Sequence, residues 1–332
     1  CDAGFGLGLA MAAEPVNLSA QTVPLNQRME AAVRYLHAQI EPDGRMTYRR
    51  DAVTGQVIAG RYNVLRHAGT LLALAEFHQE QPPDPAQAAA IHRSFDFLRR
   101  CCFGPAGEGA QGTAVWSPPD LVGGRRDHTI AKLGGAGLAL SALAQWRRVA
   151  PDRVPIDEMR ALGRFILSMQ SQDGTFRSLH SLPPARHNPD WVSLYYPGEA
   201  ALGLILLFEH DPDTTWLAAA IDALRALARG REGMGEPPPD HWALLATHRL
   251  WQQPVHAIEA ALPDGFRWWP APAHTAAAPL LLSHAESIAR SLMRAQDHGD
   301  PHPCVRGAFT PDGRSTPTAT RLEGLLALHG FM

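Results

Sequence analysis

The chain has 332 residues, 45% of them apolar and 19% charged, with a formal net charge of -3. Such a composition belongs to a globular protein with a sizeable core, and the absence of a basic excess argues against non-specific binding to nucleic acid or an anionic membrane surface. No run approaches the roughly 18 uninterrupted apolar residues that a membrane-spanning helix needs.

The N-terminus begins with Cys1 and continues "CDAGFGLGLAMAAEPVNLSAQ". Three readings of it are open. Cys1 could be the lipidated first residue of a mature bacterial lipoprotein, "GLGLAMAA" could be the tail of a clipped signal peptide, or the chain could be a truncation. A lipid anchor at Cys1 would give a periplasmic or cell-envelope location, with the cytoplasm as the alternative. Residues 1–24 are accordingly set apart as a tail, and 25–332 are expected to form one domain.

Helical periodicity begins with "QRMEAAVRYLHAQI" (27–40), which is amphipathic and stops at "EPDG". "YNVLRHAGTLLALAEFHQ" (62–79) is apolar on nearly every side. The alternation continues with the amphipathic 88–102, the Gly- and Ala-rich apolar 129–146, the amphipathic 156–170 and the apolar 198–209. Further helices are expected at 214–230, 240–252, 280–296 and 318–331, with a less definite element at 255–262. An amphipathic helix suits an outer layer, whereas one that is apolar all round must be enclosed by neighbours. Two concentric layers of helix follow. Between them, "DGRMTYRR" (43–50), "DGTFRS" (173–178), "DGFRWW" (264–269) and "DGRST" (312–316) carry Asp-Gly turns that favour short β-hairpins. "GEPPPD" (235–240) is too short to serve as a linker between domains.

Reading the inner helices at their N-terminal ends gathers the polar residues Arg61, Tyr62, Asn63, Arg66 and His67; Arg125, Asp127, His128 and Lys132; Asp190, Trp191, Tyr195, Tyr196 and Glu199; Asp240, His241 and Trp242; Arg321 and Glu323. Glu199 stands at the mouth of the greasy "YYPGEAALGLILLFE". Helix-dipole chemistry explains a carboxylate there, and so does a cleft at the helix mouth. Arg66 could form a structural ion pair with a carboxylate inside the apolar helix, or it and His67 could bind substrate. Asp240 could be a simple helix cap, or one of a carboxylate pair with Glu199, His241 lending a proton-transfer group. Trp116, Trp191, Tyr195, Tyr196, Trp268 and Trp269 fall in the connections, where they could plug loops or stack on sugar rings.

Several site classes have no support. The glycines of "LGGAG" do not form GxGxxG, neither GxSxG nor HExxH occurs, and Cys1, Cys101, Cys102 and Cys304 form no CxxC pair. His298, His302 and Cys304 fit no strong metal pattern. No cofactor or metal is expected.

The alternation of layers, with "QSQDGTF" closing an outer helix and "YYPGEAALGL" opening an inner one, resembles the α/α-toroid enzymes. That grouping includes six-hairpin glycosidases, uronyl epimerases, N-acylglucosamine 2-epimerases and terpenoid cyclases. A DxDD signature and the zinc ligands of a protein prenyltransferase are absent, which moves weight off the isoprenoid branch. The resemblance implies an all-α toroid of five to six hairpins over residues 25–331, with a site at one rim or in the central cavity. It further implies an oligo- or polysaccharide partner, uronic-acid-containing glycans included, and hydrolysis, elimination or epimerisation. Glu199, Asp240, His241 and Tyr196 are the candidate catalytic groups. Arg61, Tyr62, Asn63, Arg66, His67, Lys132, Trp191, Tyr195, Trp269, Arg321 and Glu323 are the candidate substrate contacts. The alternative is a non-catalytic toroid that binds a glycan or protein in a cell-envelope assembly.

Overall fold

A computed structural model describes residues 24–51, 53–58, 60, 62–123, 129–182, 191–262, 277–296, 299, 305–310 and 314–330. Cys1, the rest of the N-terminal tail, Arg61, Arg125, Asp127, His128, Asp190, Trp268, Trp269, His298, His302 and Cys304 lie outside them.

The described helices are α1 (Leu25–Ala38), α2 (Val64–Glu80), α3 (Pro85–Cys101), the one-turn α4 (Pro119–Val122), α5 (Leu133–Val149), α6 (Ile156–Ser168), α7 (Tyr196–Phe208), α8 (Thr214–Gly230), α9 (His241–Trp251), α10 (Val255–Ala261), α11 (Ala277–Arg294) and α12 (Ser315–His329). Amphipathic α1, α3, α6, α8 and α11 alternate along the chain with α2, α5, α7, α9 and α12. The latter five pack side by side in that order, each against the next. In α5 and α7 nearly every residue is buried, which is why their sequences show no polar face. The last inner helix, α12, and the first, α2, face each other across a cavity of about 170 Å³. Among the described residues there are thus five outer–inner pairs, and the indefinite element at 255–262 is a short helix packed on α8 instead of a sixth pair.

Glycines let α5 and α7 approach to backbone contact. A Cβ at Gly137 would lie 2.6 Å from the carbonyl carbon of Glu199. That proximity fixes the backbone of Glu199 against α5.

The Asp-Gly turns at 43–44 and 173–174 fold alike. Gly44 and Gly174 take φ of +89° and +85°, the left-handed region that glycine enters without steric cost. Each turn is closed by one isolated bridge, Ile40 to Met46 and Gln170 to Phe176. These are narrower than the expected hairpins. The true sheet lies elsewhere: β1 (Phe103–Pro105), β2 (Thr113–Ser117), β3 (Thr129–Lys132) and β4 (Leu179–Leu182) pair antiparallel in sequential order. Residues 129–132, expected to open a helix, instead form β3, because the chain there pairs with β2 on one side and β4 on the other.

Candidate functional site

Glu199 occupies the first turn of α7 and is only 5% exposed. Its backbone N–H donates to the Tyr195 carbonyl at 3.0 Å, but its Oε2 is buried with no hydrogen-bond partner among the described residues. A Cβ at Gly134, on the first turn of α5, would collide with that oxygen and with the Tyr196 ring. The carboxyl therefore fills a notch left by a missing side chain. Burial pushes its pKa up to about 8, and the nearby Asp240 carboxylate adds to the rise.

Asp240 caps α9 and is fully buried. Its Oδ1 accepts from the Ala243 N–H at 3.1 Å, and its Oδ2 pairs with Arg231 Nη2 at 2.8 Å. Burial raises its pKa, while the Arg231 guanidinium and the cap amides pull the other way. Arg231 also lies 3.3 Å from His284 Nε2, and burial next to that cation holds His284 down at about 4. Arg231 and His284 escape a motif search because they follow α8 and sit in α11. Only the packing of α8, α9 and α11 brings them to Asp240.

The aromatic groups form a lip over the two carboxyls. Tyr195, 36% exposed, meets the His241 ring edge-on at 5.2 Å between centroids, and Trp191, 46% exposed, meets Tyr196 at 5.9 Å. Burial, with the Glu199 charge second, raises Tyr196 to about 12, and burial followed by Asp240 raises Tyr195. Burial keeps His241 neutral down to about 4. Arg321 donates to the Phe309 carbonyl, and its charge reaches the Tyr195 hydroxyl. The sequence-predicted residues Glu199, Asp240, His241, Tyr195, Tyr196, Trp191 and Arg321 thus share one neighbourhood.

The remaining predicted residues stand apart from it. His67 was expected beside Glu199, but the structure turns it outward. The Tyr62 hydroxyl lies 2.6 Å from its Nδ1, the Ser94 carbonyl 3.1 Å from its Nε2, and Phe97 stacks on its ring at 5.4 Å. Burial then lowers its pKa to about 4. Tyr62 also accepts from the Met46 N–H at 3.1 Å, so it and His67 pin α2 to α3 and to the turn at Gly44. Asn63 caps α2 by accepting from the Arg66 N–H. Arg66 is exposed with its guanidinium over the Tyr48 ring at 5.5 Å, and the buried ion pair conceivable for it from sequence is replaced by this cation–π contact. Lys132 ends β3 at the mouth of α5.

Glu323 points to the central cavity, not to the lip. With Glu76, Gln145, Trp242 and Arg249 it lines the space between α2 and α12. Glu76 and Glu323 are both exposed to this cavity, and the protein crowded around Glu76, with the Glu323 charge second, shifts its carboxyl upward. Arg249 offsets only part of that shift, being held by Glu209 through two 2.6 Å bonds. Glu76 is a site residue that sequence reading passed over, although an acid inside "LLALAEFHQ" was a visible signal. Among the described residues no group of three or more His, Cys, Asp or Glu side chains could hold a metal ion.

No family model matches the chain, and no curated protein matches it in sequence. Solved structures do match in three dimensions. A sugar epimerase from a ruminal bacterium superposes with a TM-score of 0.54 at 11% identity, over 92% of this chain and 85% of that one. Cellobiose 2-epimerase from Spirochaeta thermophila gives 0.54 at 13% identity, over 91% and 96%. An unsaturated glucuronyl hydrolase matches more loosely, with a TM-score of 0.44 at 16% identity over 64% of this chain, which spans 57% of that protein's length. At such identities the likeness to the two epimerases is one of fold, and the fold is the α/α toroid.

Proposed function

We propose that the protein is a carbohydrate-active enzyme of the toroid type, acting on an oligo- or polysaccharide by hydrolysis, elimination or epimerisation at the Glu199–Asp240 rim. The observation that carries this reading is the Glu199 carboxyl, buried, unpartnered at Oε2 and poised near neutrality beside a second carboxylate. Two carboxyl groups whose environments hold them in different protonation states are what acid–base chemistry on a sugar requires. Asp240 is the member whose charge has a partner, its Oδ2 paired with Arg231, although burial raises its pKa as well. Glu199 carries the exchangeable proton, which a rotation of its carboxyl out of the Gly134 notch would present to a sugar hydroxyl or ring oxygen. Trp191 and Tyr195 offer the flat faces on which a pyranose stacks. The sugar-epimerase identities of two fold neighbours add support by analogy alone.

One observation favours a second reading, glycan binding without turnover. Asp240 spends both oxygens on Arg231 and the α9 cap, so it is committed to structure as firmly as any residue here. Incubation with neutral and acidic oligosaccharides in heavy water, followed by proton NMR, separates the cases. A new reducing end marks hydrolysis, a vinylic proton elimination, and loss of a ring C–H signal epimerisation. Shifted ligand resonances without product support binding alone, and neither turnover nor binding across the panel refutes both readings.

A further inference from the structure

At the end of α2 remote from Glu199, two imidazoles meet. His37 on α1 and His78 on α2 lie Nε2 to Nε2 at 2.9 Å, and His78 Nδ1 lies 2.8 Å from the Gln81 carbonyl. A carbonyl only accepts, so His78 Nδ1 carries a proton and its Nε2, when the ring is neutral, carries a lone pair. The proton between the rings must then belong to His37 Nε2. That leaves His37 Nδ1 as a bare lone pair, and Nδ1 is indeed buried without a partner among the described residues.

A further proton leaves an N–H without an acceptor among the described residues or sets two against each other, and a shift of tautomer that lets His78 Nε2 donate to His37 Nε2 still leaves the His37 Nδ1–H unmet. Placed on His37 Nδ1 it creates a buried cationic N–H with no acceptor. Placed on His78 Nε2 it sets two N–H groups against each other at 2.9 Å. The charged neighbours do not relieve the conflict. Glu30 and Arg34, on α1, pair with each other at 3.7 Å in an exposed position, and Asp84 spends its Oδ1 on the N–H groups of Ala86 and Gln87 as the cap of α3. His92 of α3 lies on Trp146, which also meets His78. Burial and His78 lower the pKa of His37 further than Asp84 raises it.

We propose that the His37–His78 contact is an acid-sensitive latch holding α1 on the toroid. The rest of that grip is slight, because Val33 is the one buried residue of α1 and only the partly buried Leu36 joins it on the core. An undocked His37 titrates near 6.5 and a docked one lower. Docking therefore keeps its full strength above about pH 6.5 and weakens as pH falls below it.

Hydrogen exchange by mass spectrometry on the whole chain tests the latch. After correction for intrinsic rates, the opening constant of residues 25–38 is expected to rise between pH 6.5 and 5.5 by a factor of about two to five, while α5 stays protected. His37→Gln, whose amide can still donate to His78, should lose at least half of that dependence. The same opening at both pH values in the unaltered protein overturns the proposal, and so does a pH dependence undiminished in His37→Gln. Should His37→Gln leave α1 open at every pH, His78→Gln is the second variant, and an undiminished dependence there overturns the proposal equally.

Discussion

Gly134 and Glu199 are complementary: the first turn of α5 lacks a side chain at the point where the Glu199 carboxyl lies, and any Cβ there would overlap Oε2. Gly134→Ala is therefore expected to displace the carboxyl and cost about 1–3 kcal/mol in overpacking. Gly69 on α2, with open space around its Cα, is the control, since Gly69→Ala should be neutral or stabilise by up to about 1 kcal/mol. Denaturant midpoints of the two variants check this. Equal midpoints would show that the notch is not needed.

Glu199→Gln keeps the shape of the protonated acid. Because the folded-state pKa is raised to about 8, the wild-type carboxyl costs no ionisation penalty in acid and a growing one as pH rises from the unfolded value toward 8. The variant should match the wild type in melting temperature near pH 5 and exceed it near pH 8.5. Turnover of any glycan identified should be lost. Unchanged turnover with a large loss of stability would make Glu199 a structural anchor.

Arg231→Met leaves Asp240 as an unpaired buried charge, and a loss of about 3–5 kcal/mol is expected. Pairing it with Asp240→Asn should recover some of that loss, as a double-mutant cycle on urea midpoints would reveal. Additive losses would mean that the ion pair contributes no coupling.

His67→Leu removes the acceptor of the Tyr62 O–H, which keeps only the Met46 N–H, and the ring N–H that meets the Ser94 carbonyl. A destabilisation of about 1–3 kcal/mol is expected, with glycan affinity unchanged. A selective loss of affinity, measured calorimetrically, would return His67 to the binding site.

The layered fold was legible in sequence because amphipathic and all-apolar helices differ in pattern, and α8 begins and ends where its periodicity does. The rim was only partly legible, since Glu199, Asp240 and the tyrosines stand at the starts of apolar runs. What pattern alone could not decide was direction. His67 and Glu199 both sit in the first turn of an inner helix, yet one faces α3 and the other the notch at Gly134, and the neighbours that determine this are far away in sequence. Charge state depended on the same contacts. Nothing in "PDHW" predicts that Arg231 reaches Asp240, and nothing in "LRHAG" predicts that His67 is buried against Tyr62, Ser94 and Phe97, where burial lowers its pKa. Local sequence determines which surface of a helix is apolar. Only tertiary packing decides which polar group is stripped of water and what it meets, and in this protein that decision separates a structural pin from a candidate acid.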